Sequence, residues 1–234
     1  MTVRRRERRD LVEAGEQAAE GNAKGGAGGE TLVSLLGGRS GAVDATLPPL
    51  AFVLGWLLLD RSVALGALAA LAVGVLVAVV RLVRGDRPRA VVLGLLAVAV
   101  AALVALRTGR AVDFFLVQLV SNAASALAWA GSIVVRWPLL GVVVGAVIGQ
   151  RTRWRRDPDL LRGYARASWV WVAQYVLRVA VFGVLWWADA VLALGVARVV
   201  LSWPLVAACL TVSWWVLRRS LPADHPGLRH PRTG

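Results

Sequence analysis

Three arginines, Arg136, Arg178 and Arg198, stand inside apolar runs long enough to cross a membrane. A guanidinium keeps its charge at any ordinary pH and presents a planar fork of five N–H donors that matches a carboxylate or a phosphate. Near the centre of a bilayer it costs about 2.5–3.5 kcal/mol even on a lenient insertion scale, so it faces a protein interior or a wet cavity rather than lipid. Two kinds of chemistry are open to such residues: clasping an anion, or pairing with acids and carbonyls of the same chain.

Other polar residues share their faces. Gln118, Asn122, Ser125, Trp129, Ser132 and Arg136 recur at alternating spacings of four and three, which is one stripe of an α-helix. Gln174 and Arg178 lie four apart, as do Arg198 and Ser202. Such a stripe either glues helices together through side-chain hydrogen bonds, worth about 0.6 kcal/mol each on average, or lines a cavity. The acids near the spans are Asp44, Asp60, Asp113 and Asp189, and Asp44 is the best placed to pair internally. If it does, the arginines are structural. If it does not, their excess charge suits an anionic small molecule or a lipid head group. The candidate polar interior is therefore Asp44, Gln118, Asn122, Ser125, Ser132, Arg136, Gln174, Arg178, Arg198 and Ser202.

Composition requires these residues to sit on membrane-spanning helices. The chain has 234 residues, 58% of them hydrophobic, against the roughly 45–50% of a soluble domain. Mean hydropathy is +0.64, and the apolar residues come in blocks. The blocks predict an all-α, polytopic membrane protein with about six transmembrane helices at 43–59, 62–83, 90–106, 114–149, 167–187 and 190–217. Trp-Pro pairs should break the fourth and sixth spans at Pro138 and Pro204, because proline removes an amide donor and clashes with the preceding turn. IVVRWPL at 133–139 resembles VVLSWPL at 199–205, which implies a parallel internal repeat of helical hairpins. In that register Arg136 aligns with Ser202, and Ser132 with Arg198.

Net charge is +13, and all 27 basic side chains except Lys24 are arginine. The arginines bracket the spans, which fits the positive-inside rule better than a specific nucleic-acid partner. The loops with Arg81, Arg84, Arg87 and Arg89, and with Arg151, Arg153, Arg155, Arg156, Arg162 and Arg166, should be cytoplasmic. Those with Arg61, Arg107 and Arg110 should lie outside. Both termini then face the cytoplasm of a bacterial cell. Residues 1–30 read as a disordered basic and Gly-rich tail, 31–219 as the membrane domain and 220–234 as a second disordered tail.

The single cysteine, Cys209, and two tail histidines, His225 and His230, predict neither a disulfide nor a metal site. No zinc-protease, nucleophile-elbow or phosphate-loop pattern is present, so neither an enzyme nor a cofactor is implied. Gly141 and Gly145 make a GxxxG that packs helices within one chain or between copies, leaving a homo-oligomer open.

LLGGRSGAVDATLPPLAFV, VRLVRG, ALRTGRAVDFFL, VVRWPLLG, WRRDPDLLRGYA and ARVVLSWPL together resemble an actinobacterial membrane family of unknown function, domain-of-unknown-function family 3159, over about 32–217. The resemblance implies no particular chemistry. The hairpin layout is more loosely similar to septation-associated inner-membrane proteins. The sequence thus supports a transporter-like or ligand-binding membrane protein with an Arg-lined interior, and as its alternative a non-transporting scaffold or envelope assembly factor.

Overall fold

The computed structural model describes residues 38–149 and 152–222, with side chains from Asp44 onward. The tail expected at 1–30, and nearly all of the one at 220–234, lie outside these residues. Among the described residues the chain is all-α, with eight helices and no strand. They are α1 (Gly38–Leu58), α2 (Val63–Val83), α3 (Pro88–Thr108), α4 (Leu116–Val134), α5 (Leu139–Val147), α6 (Pro158–Trp187), α7 (Val191–Val200) and α8 (Trp203–Ser220). Short 3-10 turns at Ala111–Phe115 and Arg153–Arg156 precede α4 and α6.

Local chemistry sets the helix ends. Asp60 and Arg61 take left-handed φ values of 52° and 54° and turn the chain, and the Ser62 hydroxyl then accepts from the Leu65 amide to cap α2. Gly109, at φ 70°, closes α3 with its amide on the Ala105 carbonyl. Asp157 accepts from the amides of Asp159 and Leu160, and Pro158 occupies the first turn of α6. This cap makes α6 start well before the position 167 expected of it, so Arg162 and Arg166 belong to a helix rather than a loop.

Two groups of antiparallel helices result, α1–α2–α3 and α4–α6–α8. Small residues let the first pack closely: Gly66, Ala67, Ala70, Gly74 and Ala78 are the buried positions of α2. A Cβ on Gly66 would lie 3.0 Å from the Phe52 carbonyl oxygen, and one on Gly55 would lie 2.8 Å from the Ala69 Cβ. The turn Ala111–Phe115 and helix α7 join the groups. Phe114 stacks on Phe52 with centroids 4.0 Å apart, and Phe115 meets Phe52 edge-on. An apolar cluster of Phe52, Val112, Phe114, Phe115, Phe182 and Leu194 fills that joint. A second cluster, with Leu140, Trp154, Leu160, Tyr164 and Leu217, lies toward the other end of α6.

The outer surface carries large apolar side chains, among them Leu68, Leu76, Leu93, Leu127 and Val184. A surface of this kind belongs in lipid. Among the described residues four helical segments are long and apolar enough to cross a membrane: α2, α3, Ala111–Val134 and α6. The pair α7–α8, bent by 40°, makes a fifth if counted as one span. Against the expected six, the described residues thus give four or five candidate spans. α1 itself runs over 21 residues, Gly38–Leu58, and its part with described side chains is Asp44–Leu58.

The helix leaves its path at both Trp-Pro pairs, between Val134 and Leu139 and between Val200 and Trp203. The breaks differ in depth. One follows 19 residues of α4, the other only 10 residues of α7. Gly141 does not wait for a second chain: its Cβ would stand 2.8 Å from the Trp154 ring, which already covers that face of α5.

The close approach of α1 and α2 leads to a direct expectation. Gly66→Leu should destabilise the protein by about 1–3 kcal/mol through overpacking, because the obstructing atoms are backbone. Gly94→Leu, at a position where a Cβ meets nothing within 4 Å, should be nearly neutral. Thermal unfolding of the two purified variants in detergent compares them, and equal midpoints would contradict this account of the contact.

Candidate functional site

The proline pair Pro48-Pro49 lies inside α1 and is buried. A helical proline has no amide to offer the carbonyl four residues back, so Pro49 leaves the Ala45 carbonyl without its usual donor. Arg198, on α7, supplies one: its Nη2 donates to the Ala45 oxygen at 3.3 Å. One turn further along the chain, Ser202 sits at the α7–α8 break, its hydroxyl donating to the Val199 carbonyl at 2.6 Å. The Ser202 carbonyl accepts from Arg178 Nη2 of α6 at 3.3 Å. Two guanidinium groups thus meet where the helix groups join, each held by a backbone carbonyl.

They line one cavity of about 140 Å³ together with Gln118, Asn122, Phe182 and Ser202. Gln118 donates to the Asn122 side-chain oxygen at 3.1 Å. Asn122 is 2% exposed, and its Nδ2 has no partner among the described residues. The same holds for Arg178 Nε. A second cavity of about 220 Å³ shares Ala45, Gln118 and Arg198 with the first and extends between α1, α2 and α3 to Asp44 and Arg81.

Asp44 does not neutralise these arginines. Its carboxylate lies 3.7 Å from Arg84 Nη1, at the far end of α2. Arg81 pairs with Asp86 at 2.7 Å. Among the described residues neither Arg178 nor Arg198 forms an ion pair, and the Ala45 and Ser202 carbonyls are their acceptors.

Of the expected site residues, Gln118, Asn122, Arg178, Arg198 and Ser202 come together, with Asp44 at the edge of the adjoining cavity. Gln174 lies one turn below Arg178, buried, and accepts from the Cys209 thiol at 3.5 Å. Ser125 is spent on its own helix, donating to the Ser121 carbonyl. Ser132 bridges the α4–α5 break, donating to the Trp129 carbonyl and accepting the Leu139 amide at 3.2 Å. Trp129 stacks on Trp171 with centroids 5.1 Å apart, so that part of the stripe packs α4 on α6.

Arg136 stays apart from the cavity. It is exposed, with φ at 57°, beyond the end of the 24-residue span Ala111–Val134. Its expected place near mid-membrane came from counting 114–149 as one span. The candidate span that starts at the buried turn Ala111–Phe115 ends at Val134, so Arg136 lies two residues beyond it.

Some contacts near the joint gave no clear sequence signal. Asp113, read as a span-end acid, is buried, accepts from Trp186 Nε1 at 2.8 Å and has Arg110 Nη1 at 3.9 Å. Arg110 also reaches Asp189 at 3.5 Å, tying the turn before α4 to the one before α7. The Ala45 carbonyl was findable from Pro49, whose missing amide marks the carbonyl four residues back.

A model of the family described as protein of unknown function (DUF3159) matches residues 36–224, which include every helix described above. The chain belongs to this family. No curated protein and no solved structure matches it. The DUF3159 match spans both the cavity and the two helix groups that enclose it.

The link between Pro49 and Arg198 can be measured in this DUF3159 protein. Arg198→Gln should destabilise it by stripping the Ala45 carbonyl of a charged donor, and Pro49→Ala should restore a helical amide to the same oxygen. The two changes combined should depart from additivity by about 0.5–3 kcal/mol, the range for residues that share a partner. Additive losses in a double-mutant unfolding cycle would show that they act separately.

Proposed function

We propose that this protein is a ligand-binding, transporter-like component of the bacterial cytoplasmic membrane that holds an anion between Arg178 and Arg198. The observation that carries this reading is the pair of cavity-lining guanidinium groups whose acceptors are carbonyls, with the nearby carboxylate of Asp44 drawn off by Arg84. Two positive charges in a low-dielectric space favour a negative guest strongly, since each is stabilised by it and neither is neutralised by another described residue. Asn122 Nδ2, which has no partner among the described residues, adds a further donor in the same cavity. A phosphate or carboxylate, either on a water-soluble molecule or on a lipid, offers the acceptor geometry these donors need.

The alternative reading, a membrane scaffold or assembly factor, draws support from the Trp129–Trp171 stack and the Ser132 bridge, where polar residues only pack or cap helices. That support stops at the lower half of the stripe. It does not extend to the cavity with the arginines.

Charge also orients the chain. The α2–α3 turn with Arg84 and Arg87, the turn Arg153–Arg156 and the α8 end with Arg218 and Arg219 fall at one end by the antiparallel order of the helices. Arg61, Arg107 and Arg110 fall at the other. We assign the richer end, and both termini, to the cytoplasm. Single cysteines at Arg84 and Arg155 in a Cys209→Ser background should then resist impermeant thiol reagents in intact cells, whereas one at Arg107 should react. Reaction from outside at Arg84 and Arg155 would reverse the assignment.

Binding itself is tested in zwitterionic nanodiscs with inorganic phosphate and acetate as soluble probes, and by native mass spectrometry for an anionic lipid carried through purification. One of these should bind to the wild type and be lost in Arg178→Gln and Arg198→Gln variants that still insert. Retention of an anion by both variants, or binding of none of the three by the wild type, would remove the anion reading.

A further inference from the structure

One face of α6 carries a row of buried polar groups of which the anion reading uses only Arg178. Tyr164, Ser168, Trp171, Gln174 and Arg178 follow one another at steps of four, three, three and four residues, which keeps them on one side of the helix. Tyr164 and Ser168 are 0% exposed and Gln174 is 2% exposed. Four of the five hold a buried atom without a partner among the described residues: Tyr164 Oη, Ser168 Oγ, Trp171 Nε1 and Arg178 Nε. A buried polar atom left dry costs roughly 1–3 kcal/mol, and native proteins leave few of them. Four in a line on one helix is therefore a pattern with a single cause.

The neighbouring helices do not supply the missing bonds. From α8, the Ser213 hydroxyl donates to the Ala167 carbonyl and the Cys209 thiol to Gln174. From α4, Trp129 offers Trp171 its ring face. The row needs a guest that both donates and accepts, because indole and guanidinium N–H groups only donate while the hydroxyls do both. An apolar chain satisfies none of them, and an anion satisfies no hydroxyl that must also donate elsewhere. Water meets every requirement. Its reach agrees: successive groups rise by roughly 4.5–6 Å along the axis, and one water bridges roughly 5–6 Å with two hydrogen bonds of ordinary length.

We propose that a file of bound water molecules runs along this face of α6, between α4 and α8, from Arg178 to Tyr164. It spans roughly 21 Å of helix axis. At its upper end it meets the cavity lined by Arg178 and Asn122. At its lower end Tyr164 packs edge-on against Trp154, beside the turn that carries Arg153, Arg155 and Arg156. The file stands on the polar row alone and holds whether or not the cavity takes an anion.

X-ray hydroxyl-radical footprinting of the full-length protein in nanodiscs tests it, since radicals form where water is bound. Tyr164 and Trp171 should be modified several-fold faster than the buried Phe52 and Phe114 after correction for intrinsic reactivity. Equal corrected rates would overturn the file. Tyr164→Phe gives an independent reading that preserves shape. If the hydroxyl binds water, its removal should lower Tm by about 2–4 °C. If Tm is unchanged or rises, the hydroxyl was dry and the proposal falls. Neither measurement depends on phosphate, acetate or lipid, so its outcome is separate from that of the anion test.

Discussion

A carbonyl without an amide fixes the centre of this molecule. Pro49 continues α1 but withholds the donor that the Ala45 oxygen would otherwise have. In water the oxygen would be solvated. Inside a membrane protein it must find another donor, or the helix loses several kcal/mol. Arg198 is that donor, and because it sits on α7, the bond ties the short bridging helix to α1. The guanidinium needs the carbonyl as much as the carbonyl needs it, since an unsolvated cation deep in the bilayer is costly. Each group makes the other tolerable, and the two helix groups are joined where they meet.

The placement of the remaining polar residues follows from that joint. An apolar cluster around Phe52 and Phe114 closes one side, and the cluster around Trp154 and Tyr164 closes the other. Along α6, Phe182 belongs to the first and Tyr164 to the second, so Gln174 and Arg178 form a polar layer between them. Two features keep the layer open enough to be useful. Small residues on α2 draw α1 inward, which brings Ala45 within reach of Arg198. The 40° bend between α7 and α8 exposes the Ser202 carbonyl to Arg178. The bend also explains why a serine occupies the position before Trp203-Pro204: its hydroxyl takes a bond on the Val199 carbonyl, where the helical pattern fails.

Much of this was legible from residue types and spacing. The apolar blocks located the helices, and the Trp-Pro pairs stand where the chain leaves its helical path. Helical faces placed Gln118, Asn122, Arg178, Arg198 and Ser202 among ten candidates, and had no means of separating them from Ser125, Ser132 and Arg136, which line neither cavity. Depth was harder to read. Arg136 sits in a long apolar run, and hydropathy has no means of telling that the run begins with a buried 3-10 turn at Ala111–Phe115 and that its span is complete by Val134. Pairing was harder still. Asp44 is close to Arg198 in the fold, yet Arg84 takes it, because α1 and α2 run antiparallel and bring the start of one to the end of the other. No one-dimensional pattern reports that choice. The row on α6 was half visible: Tyr164, Trp171, Gln174 and Arg178 share a face in the sequence, but only burial shows that their polar atoms lack partners.

The three arginines of the apolar runs therefore separate by what each can reach. Arg136, at a helix break beyond the candidate span Ala111–Val134, is exposed, and its charge demands nothing of the fold. Arg178 and Arg198 have no such escape, because their helices continue past them in both directions or pack against α1. Carbonyl bonds satisfy part of each guanidinium and none of its charge. A fold that wanted only helix packing at this point had a carboxylate in the adjoining cavity to finish the task, and it pairs that carboxylate with an exposed arginine instead. Uncompensated charge retained at a joint between two helix groups is hard to account for as packing, since an apolar pair of similar volume is often at least as stable as a buried ionic one. Under the proposed function such charge offers affinity for a negative guest, at a place where binding that guest would bear on α1, α6 and α7 together.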